Sequence, residues 1–289
     1  MKIFATFLAL AIISMTSSAN AQLSSEMRAE YNTLMKSENY KAAVKQIEAV
    51  QKAGDDSFET NRLLAGALLN RLDQVGLLKK RSIGKKMKKV LERGVKLQPE
   101  SIYALGDLAQ FHMQAPGIVG GDKDKAKALA ERIMAINRIE GHVLKGKIAL
   151  SENDIMMATT QLDKALKIEP KNTDLLAYKG FAQIYFKAYA DAIVTLDKCL
   201  EIDASNTSCL YQVGKAAELG DVQHTKGIAA FEKLIAANAY SDNALAYVHY
   251  RFGNLYAQSG DKALAIEQYD KAIKINDLKE AKAAKKKLN

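Results

Sequence analysis

Glycine recurs at Gly146, Gly180 and Gly214, at a fixed interval of 34 residues. The same interval relates Ala158 to Ala192, Leu162 to Leu196, Ala165 to Cys199 and Ile168 to Ile202. A period of this length constrains the fold more than any other feature of the chain. Each copy is one supersecondary unit that buries its apolar side against its neighbours, and the outcome is a stacked array. Composition says what the unit is made of. The chain is rich in Ala, Leu and Lys, contains three prolines and no tryptophan, and so reads as nearly all helix.

The stretches "ENDIMMATTQLDKALKIEPKN" (152–172), "KAYADAIVTLDKCLEIDASN" (187–206) and "YRFGNLYAQSGDKALAIEQYDKAIKIN" (250–276) resemble the tetratricopeptide repeat, of the exported bacterial kind. The match is carried by small residues at Gly146, Ala158 and Ala165, a large one at Leu162, and Pro170. In the last unit it is carried by Phe252, Gly253, Tyr256, Gly260, Asp261, Ala265, Tyr269 and Ala272. The resemblance implies an all-α, right-handed superhelical solenoid of antiparallel helix pairs, in which small residues let the helices of a pair approach.

Seven units are expected, at 24–55, 58–100, 101–138, 139–172, 173–206, 207–242 and 243–277. The first is carried by Tyr31, Leu34, Tyr40, Ala43, Ile47 and Val50. Residues 22–138 form the more irregular half with two insertions, 139–277 the regular array, and 278–289 a basic capping helix. Lys145 and Lys179 stand where the family normally has leucine.

The chain opens MKIFATFLALAIISMTSSANAQ. Lys2 is followed by a nearly unbroken apolar run from Ile3 to Met15 and then by Ala19-Asn20-Ala21, a small-x-small cleavage pattern. About thirteen apolar residues fall short of the roughly 20 that span a bilayer. The expectation is a signal peptide at 1–21 cleaved after Ala21, a mature chain starting at Gln22, and a periplasmic location. No later apolar run is long enough to be a transmembrane segment. Loss of Lys2 takes the formal charge from +9 to +8, which favours anionic partners in general.

The loop "QAPGIVGGDKDKA" (114–126) has the look of a phosphate cradle. A phosphate loop would place Lys and then Ser or Thr after its last glycine, and would follow a strand. Here Asp122 follows Gly121, and helices are expected at Ile102–Met113 and Lys123–Asn137. Pro116 ends the first helix, Gly117, Gly120 and Gly121 permit positive φ, and Asp122 sits at the N-cap of the second. The loop reads as a structural turn, with contact to a partner as the alternative. Five extra residues separate Ala109 from Ala126 relative to the regular unit.

A second insertion, between Arg71 and Met87, brings in the basic run Lys79, Lys80, Arg81, Lys85, Lys86, Lys88 and Lys89. It is either a solvated face or a contact for an anionic surface such as lipid head groups, acidic glycans or an acidic protein. The C-terminal lysines are explained by a helix C-terminus. Cys199 and Cys209 lie on either side of a short inter-unit turn, where they are either disulfide-bonded or two buried thiols filling small-residue slots. His112, His142, His224 and His249 show no zinc spacing and read as packing residues, and there is no GxSxG. No catalytic residue, metal or cofactor is expected, and export disfavours nucleic acid.

The resemblance places binding on the first helix of each unit. It nominates Tyr103 and Gln110 in the third unit, Lys147 in the fourth, and Phe181, Ile184 and Tyr185 in the fifth. Tyr211 and Lys215 follow in the sixth, and Tyr247, Tyr250 and Asn254 in the seventh. Aromatic rings among lysines and amides suit a peptide with acidic groups. The pairing of Lys and Asn by which some relatives clamp a terminal carboxylate is absent in that form, since Tyr250 accompanies Asn254 and Val143 accompanies Lys147. The reading is a non-catalytic interaction scaffold of the cell envelope. The rival is a binder of anionic envelope surfaces through Lys79–Lys89 and the C-terminal lysines.

Overall fold

A computed structural model describes residues 23–238 and 241–288, so the signal segment expected at 1–21 lies outside the described residues. The described residues divide into two compact units, with the division between residues 144 and 145. Fifteen α-helices and no strand occur among the described residues, and none of these helices is long and apolar enough to cross a membrane.

The first unit holds α1 (Ser25–Lys36), α2 (Tyr40–Lys52), α3 (Phe58–Arg71), α4 (Leu77–Leu97), α5 (Ile102–Gln114) and α6 (Lys123–Ile136). Each helix packs on its neighbour in sequence. All but α4 start at a polar cap. The side chains of Ser24, Asn39, Ser57 and Ser101 accept from backbone N–H groups three residues on, satisfying donors that the first turn leaves free.

The glycine-rich loop is a turn with a packing role. Asp122 caps α6 by accepting from the N–H groups of Asp124 and Lys125, both at 3.1 Å. Its carboxyl is held below the usual range chiefly by the Lys125 backbone N–H. Gly120 takes φ +102°, and a Cβ on Gly121 would lie 1.7 Å from the Ala115 carbonyl oxygen. The loop also lies on α4, with Val119 against Gly84 and the Lys88 stem over Gly120. The two insertions are thus packed on each other. The basic run is not an irregular excursion, because all of it lies within the 21-residue helix α4.

Helix α7 (Arg138–Ser151) crosses the division between the units. The second unit continues with α8 (Ile155–Ile168), α9 (Thr173–Tyr185), α10 (Tyr189–Ile202), α11 (Thr207–Gly220) and α12 (His224–Ala236). It ends with α13 (Asp242–Gln258), α14 (Lys262–Asn276) and α15 (Lys279–Leu288). Consecutive helices from α8 to α15 pack in order, and α9, α11, α13 and α15 also touch one another in series. That pattern is a stack of helix pairs with the first helices forming one layer. The buried Gln212 ties the layer together by donating to the Ala177 carbonyl at 2.8 Å.

The periodic glycines sit where the helices of a pair meet. Gly180 faces Leu196, Gly214 faces Phe231 and Gly253 faces Tyr269, and a Cβ at any of the three would lie 2.5 Å from the opposing side chain. The core between them gathers Leu196, Val213, Phe231, Phe252 and Leu255. Leu278 and Ala281 are buried at the end, so α15 covers the last pair as a capping helix should.

Cys199 and Cys209 form a disulfide that joins α10 to α11 across 10 residues of sequence, with the Cα atoms 6.5 Å apart. Closing so short a loop contributes about 2 kcal/mol. A reductant is therefore expected to lower Tm by on the order of 5 °C in a thermal melt. The Cys199→Ala/Cys209→Ala variant should melt at the reduced value with or without reductant, and an equal Tm for the oxidised and reduced wild type would contradict this role.

Candidate functional site

The groove residues expected from the sequence fall in both compact units, and each unit is described by itself. In the first, Tyr103 on α5 is exposed, and the Arg62 guanidinium lies 5.4 Å from its ring centroid and 5.9 Å from that of Phe58. Asp107 accepts from Arg62 Nε at 3.0 Å. Burial pushes the Asp107 carboxyl up, and Arg62 opposes that shift. Gln110 is half-buried on the same helix.

The second unit contains the fuller constellation. On α7, the Lys147 ammonium lies 5.6 Å from the Tyr178 ring centroid. Tyr178 stacks on Phe181, one helical turn further along α9, with centroids 6.0 Å apart and planes 19° from parallel. Lys215 of α11 lies 5.9 Å from the Phe181 centroid. Arg251 of α13 pairs with Glu218, which also accepts from Asn254 Nδ2 at 2.8 Å. Asn254 accepts in turn from the Tyr269 hydroxyl at 2.9 Å. A pair of stacked rings on α9 thus lies between a lysine of α7 and a lysine of α11.

Electrostatics follow from partial burial. Desolvation lowers the Lys215 ammonium from the usual lysine range; Arg251 adds to the shift and Glu218 opposes it. Burial raises the Tyr178 phenol. It pushes Tyr269 to about 12, with Tyr250 and Glu218 adding to it. Among Lys147, Lys215, Arg251 and Glu218 the positive charges exceed the negative. Half-buried cations over aromatic faces attract an anion more strongly than solvated ones do.

One expectation needs correction. Ile184 is 4% exposed and belongs to the core cluster, so it cannot line a groove. The reason is its place one turn after Gly180, on the side of α9 that faces α10. Asn254 is half-buried and hydrogen-bonded to Glu218 and Tyr269. Tyr185 is exposed but stands at the end of α9, edge-on to Phe186 and 3.4 Å from Asn153 Oδ1. Phe181, Tyr211, Lys215 and Tyr250 are half-buried and Tyr247 is exposed. Sequence reasoning passed over Tyr178, Glu218 and Arg251. Tyr178 and Arg251 share one register, two residues before Gly180 and Gly253 respectively, and that shared place was the available signal.

His249 is buried, with Nδ1 2.8 Å from Gln268 Oε1, and burial lowers its pKa. His112 is buried as well. No group of three or more His, Cys, Asp or Glu placed to hold a metal ion occurs among the described residues.

The tetratricopeptide-repeat family model matches residues 246–278, three residues later in its start than the unit expected at 243–277. The three preceding helix pairs repeat the geometry of that unit, with Gly146, Gly180 and Gly214 of the first helix meeting Leu162, Leu196 and Phe231 of the second. That last helix pair matches the tetratricopeptide repeat, and the pairs before it in the second unit share its packing. No curated protein matches it.

Solved structures share the all-α superhelical fold of this repeat family. A tetratricopeptide repeat protein from Parabacteroides merdae is 13% identical with a TM-score of 0.54, covering 91% of this chain and 97% of its own. The C-terminal part of a repeat protein from Cytophaga hutchinsonii is 16% identical with a TM-score of 0.50, covering 89% and 98%. The human IFIT1 dimer with PPP-AAAA is 18% identical with a TM-score of 0.60, covering 87% of this chain and 60% of that one. At these identities the likeness extends to the fold alone.

Proposed function

We propose that this repeat protein is a non-catalytic scaffold that holds an acidic segment of a partner protein on the first-helix layer of its second unit. One observation carries the reading: the stacked Tyr178 and Phe181 rings lie between Lys147 and Lys215 over successive repeats. A repeat array presents such a row to an extended or helical peptide, with rings as anchors and cations for carboxylates. Export to the periplasm is part of the proposal. It is supported by the apolar run and Ala19-Asn20-Ala21, and by a disulfide of the kind that oxidising compartments sustain.

A photoreactive residue at Phe181 should crosslink the partner in the native envelope. Lys147→Glu with Lys215→Glu should reduce the adduct on the order of tenfold or more, because like charges then face the ligand. Adducts indifferent to the charge reversal, or confined to a probe at Lys85, would overturn the reading.

A further inference from the structure

Helix α4 carries a second surface that the peptide-binding row does not use. Leu77 and Leu78 are 85% and 89% exposed, more than any other large apolar side chain among the described residues. They open a helix of 21 residues whose partner α3 has 14, a difference of about 10 Å in length. The first buried residue of α4 is Ile83; over Leu77–Ser82 every residue is exposed except Lys80, which is half-buried. Lys79, Lys80 and Arg81 follow the leucines directly. Lys85 and Lys89 then continue the outward stripe that starts at Leu78 and Arg81, at helical spacings of three, four and four.

The basic residues of this helix fall into two groups. Lys86 pairs with Glu48, and Lys88 lies 3.7 Å from Glu92. Lys79, Lys80, Arg81, Lys85 and Lys89 form no ion pair among the described residues. Asp73, in the turn before the helix, is the nearest carboxylate in sequence on that side. Val119 against Gly84 and the Lys88 stem over Gly120 brace the helix from the glycine loop. The projecting end is therefore a supported one.

We infer that the start of α4 docks on an anionic lipid bilayer, with Leu77 and Leu78 entering the acyl boundary and Lys79, Lys80, Arg81 and Lys85 meeting lipid phosphates. Charge complementarity selects this occupant. Exposed leucines ringed by unpaired cations match an interface that is apolar beneath and negative above, whereas a soluble acidic peptide would leave the leucines in water. Of the C-terminal lysines, which belong to the second unit, Lys285 is 2.6 Å from Asp270 and Lys282 pairs with Asp277.

The chain contains no tryptophan, so Leu78→Trp places a single indole at the proposed contact. The test uses the chain from Gln22, which includes every described helix, with vesicles of equal parts phosphatidylglycerol and phosphatidylcholine. The indole emission should shift to the blue, brominated acyl chains should quench it, and the protein should sediment with these vesicles but not with pure phosphatidylcholine. Lys79→Gln/Lys80→Gln/Arg81→Gln should weaken binding on the order of a hundredfold, and Leu77→Ser/Leu78→Ser about tenfold.

Equal binding to neutral vesicles, unshifted emission in sedimented protein, or unchanged binding of either variant would overturn the inference. So would a protein partner crosslinked at position 78 with no lipid binding. All these residues lie in the first unit, so the outcome is independent of crosslinking at Phe181 in the second.

Discussion

Glu218→Ala should destabilise the second unit by about 3 kcal/mol, read as a lower urea midpoint. The Glu218 carboxylate is nearly enclosed and serves two partners, the Arg251 guanidinium and Asn254 Nδ2. Its backbone carbonyl accepts from Gln258 at 2.9 Å. Removing the carboxylate leaves Arg251 half-buried with no counter-ion and with Lys215 close enough to be felt electrostatically. An orphaned charge costs more than the intact pair contributes, since the pair had already lost its hydration. Glu218→Gln/Arg251→Met removes both charges and should therefore unfold nearer the wild-type midpoint than Glu218→Ala does. If Glu218→Ala matched the wild type, the network would be a surface pair of little consequence.

Gly214→Val should cost about 3 kcal/mol, whereas Gly146→Ala should be neutral or stabilise by up to about 1 kcal/mol. The two glycines occupy the same place in the repeat. A Cβ on Gly214 would lie 2.5 Å from the ring of Phe231, which is fully buried and has no room to retreat. A Cβ on Gly146 would meet nothing nearer than 3.4 Å, so the gain in helix propensity survives there. Thermal melts of the two variants should move in opposite directions or, at the least, differ by several degrees. Equal destabilisation of both would mean that the repeat position, rather than its opposing side chain, governs the cost.

These two cases bear on what a sequence of this kind can disclose. The helix pairs were legible because a 34-residue recurrence of small residues is a local pattern with one economical packing solution. The glycine loop was legible as well. Pro116 and Asp122 act on their own backbone neighbours, so the start of α6 at Lys123 follows from short-range rules. The disulfide was legible only as one of two options, because spacing brings Cys199 and Cys209 near each other without setting their Cα separation.

Tertiary packing decided the rest. Ile184 and Phe181 lie three residues apart on α9, yet one is sealed in the core and the other lines the candidate surface, according to where α10 lies. Tyr178 and Arg251 joined that surface because rows from different repeats came into register, and the nearly enclosed Glu218 pairs with Arg251 from 33 residues away. The basic run acquired a direction in the same way. The core side of α4 and the loop at Val119 turned Lys86 and Lys88 toward the unit and left Leu77 and Leu78 outside. By itself, the sequence determined the repeat, the helices and their ends, because those depend on contacts within a few residues. Which faces remained open to partners was settled only in three dimensions, since a side chain's exposure is a property of the neighbour that does or does not cover it.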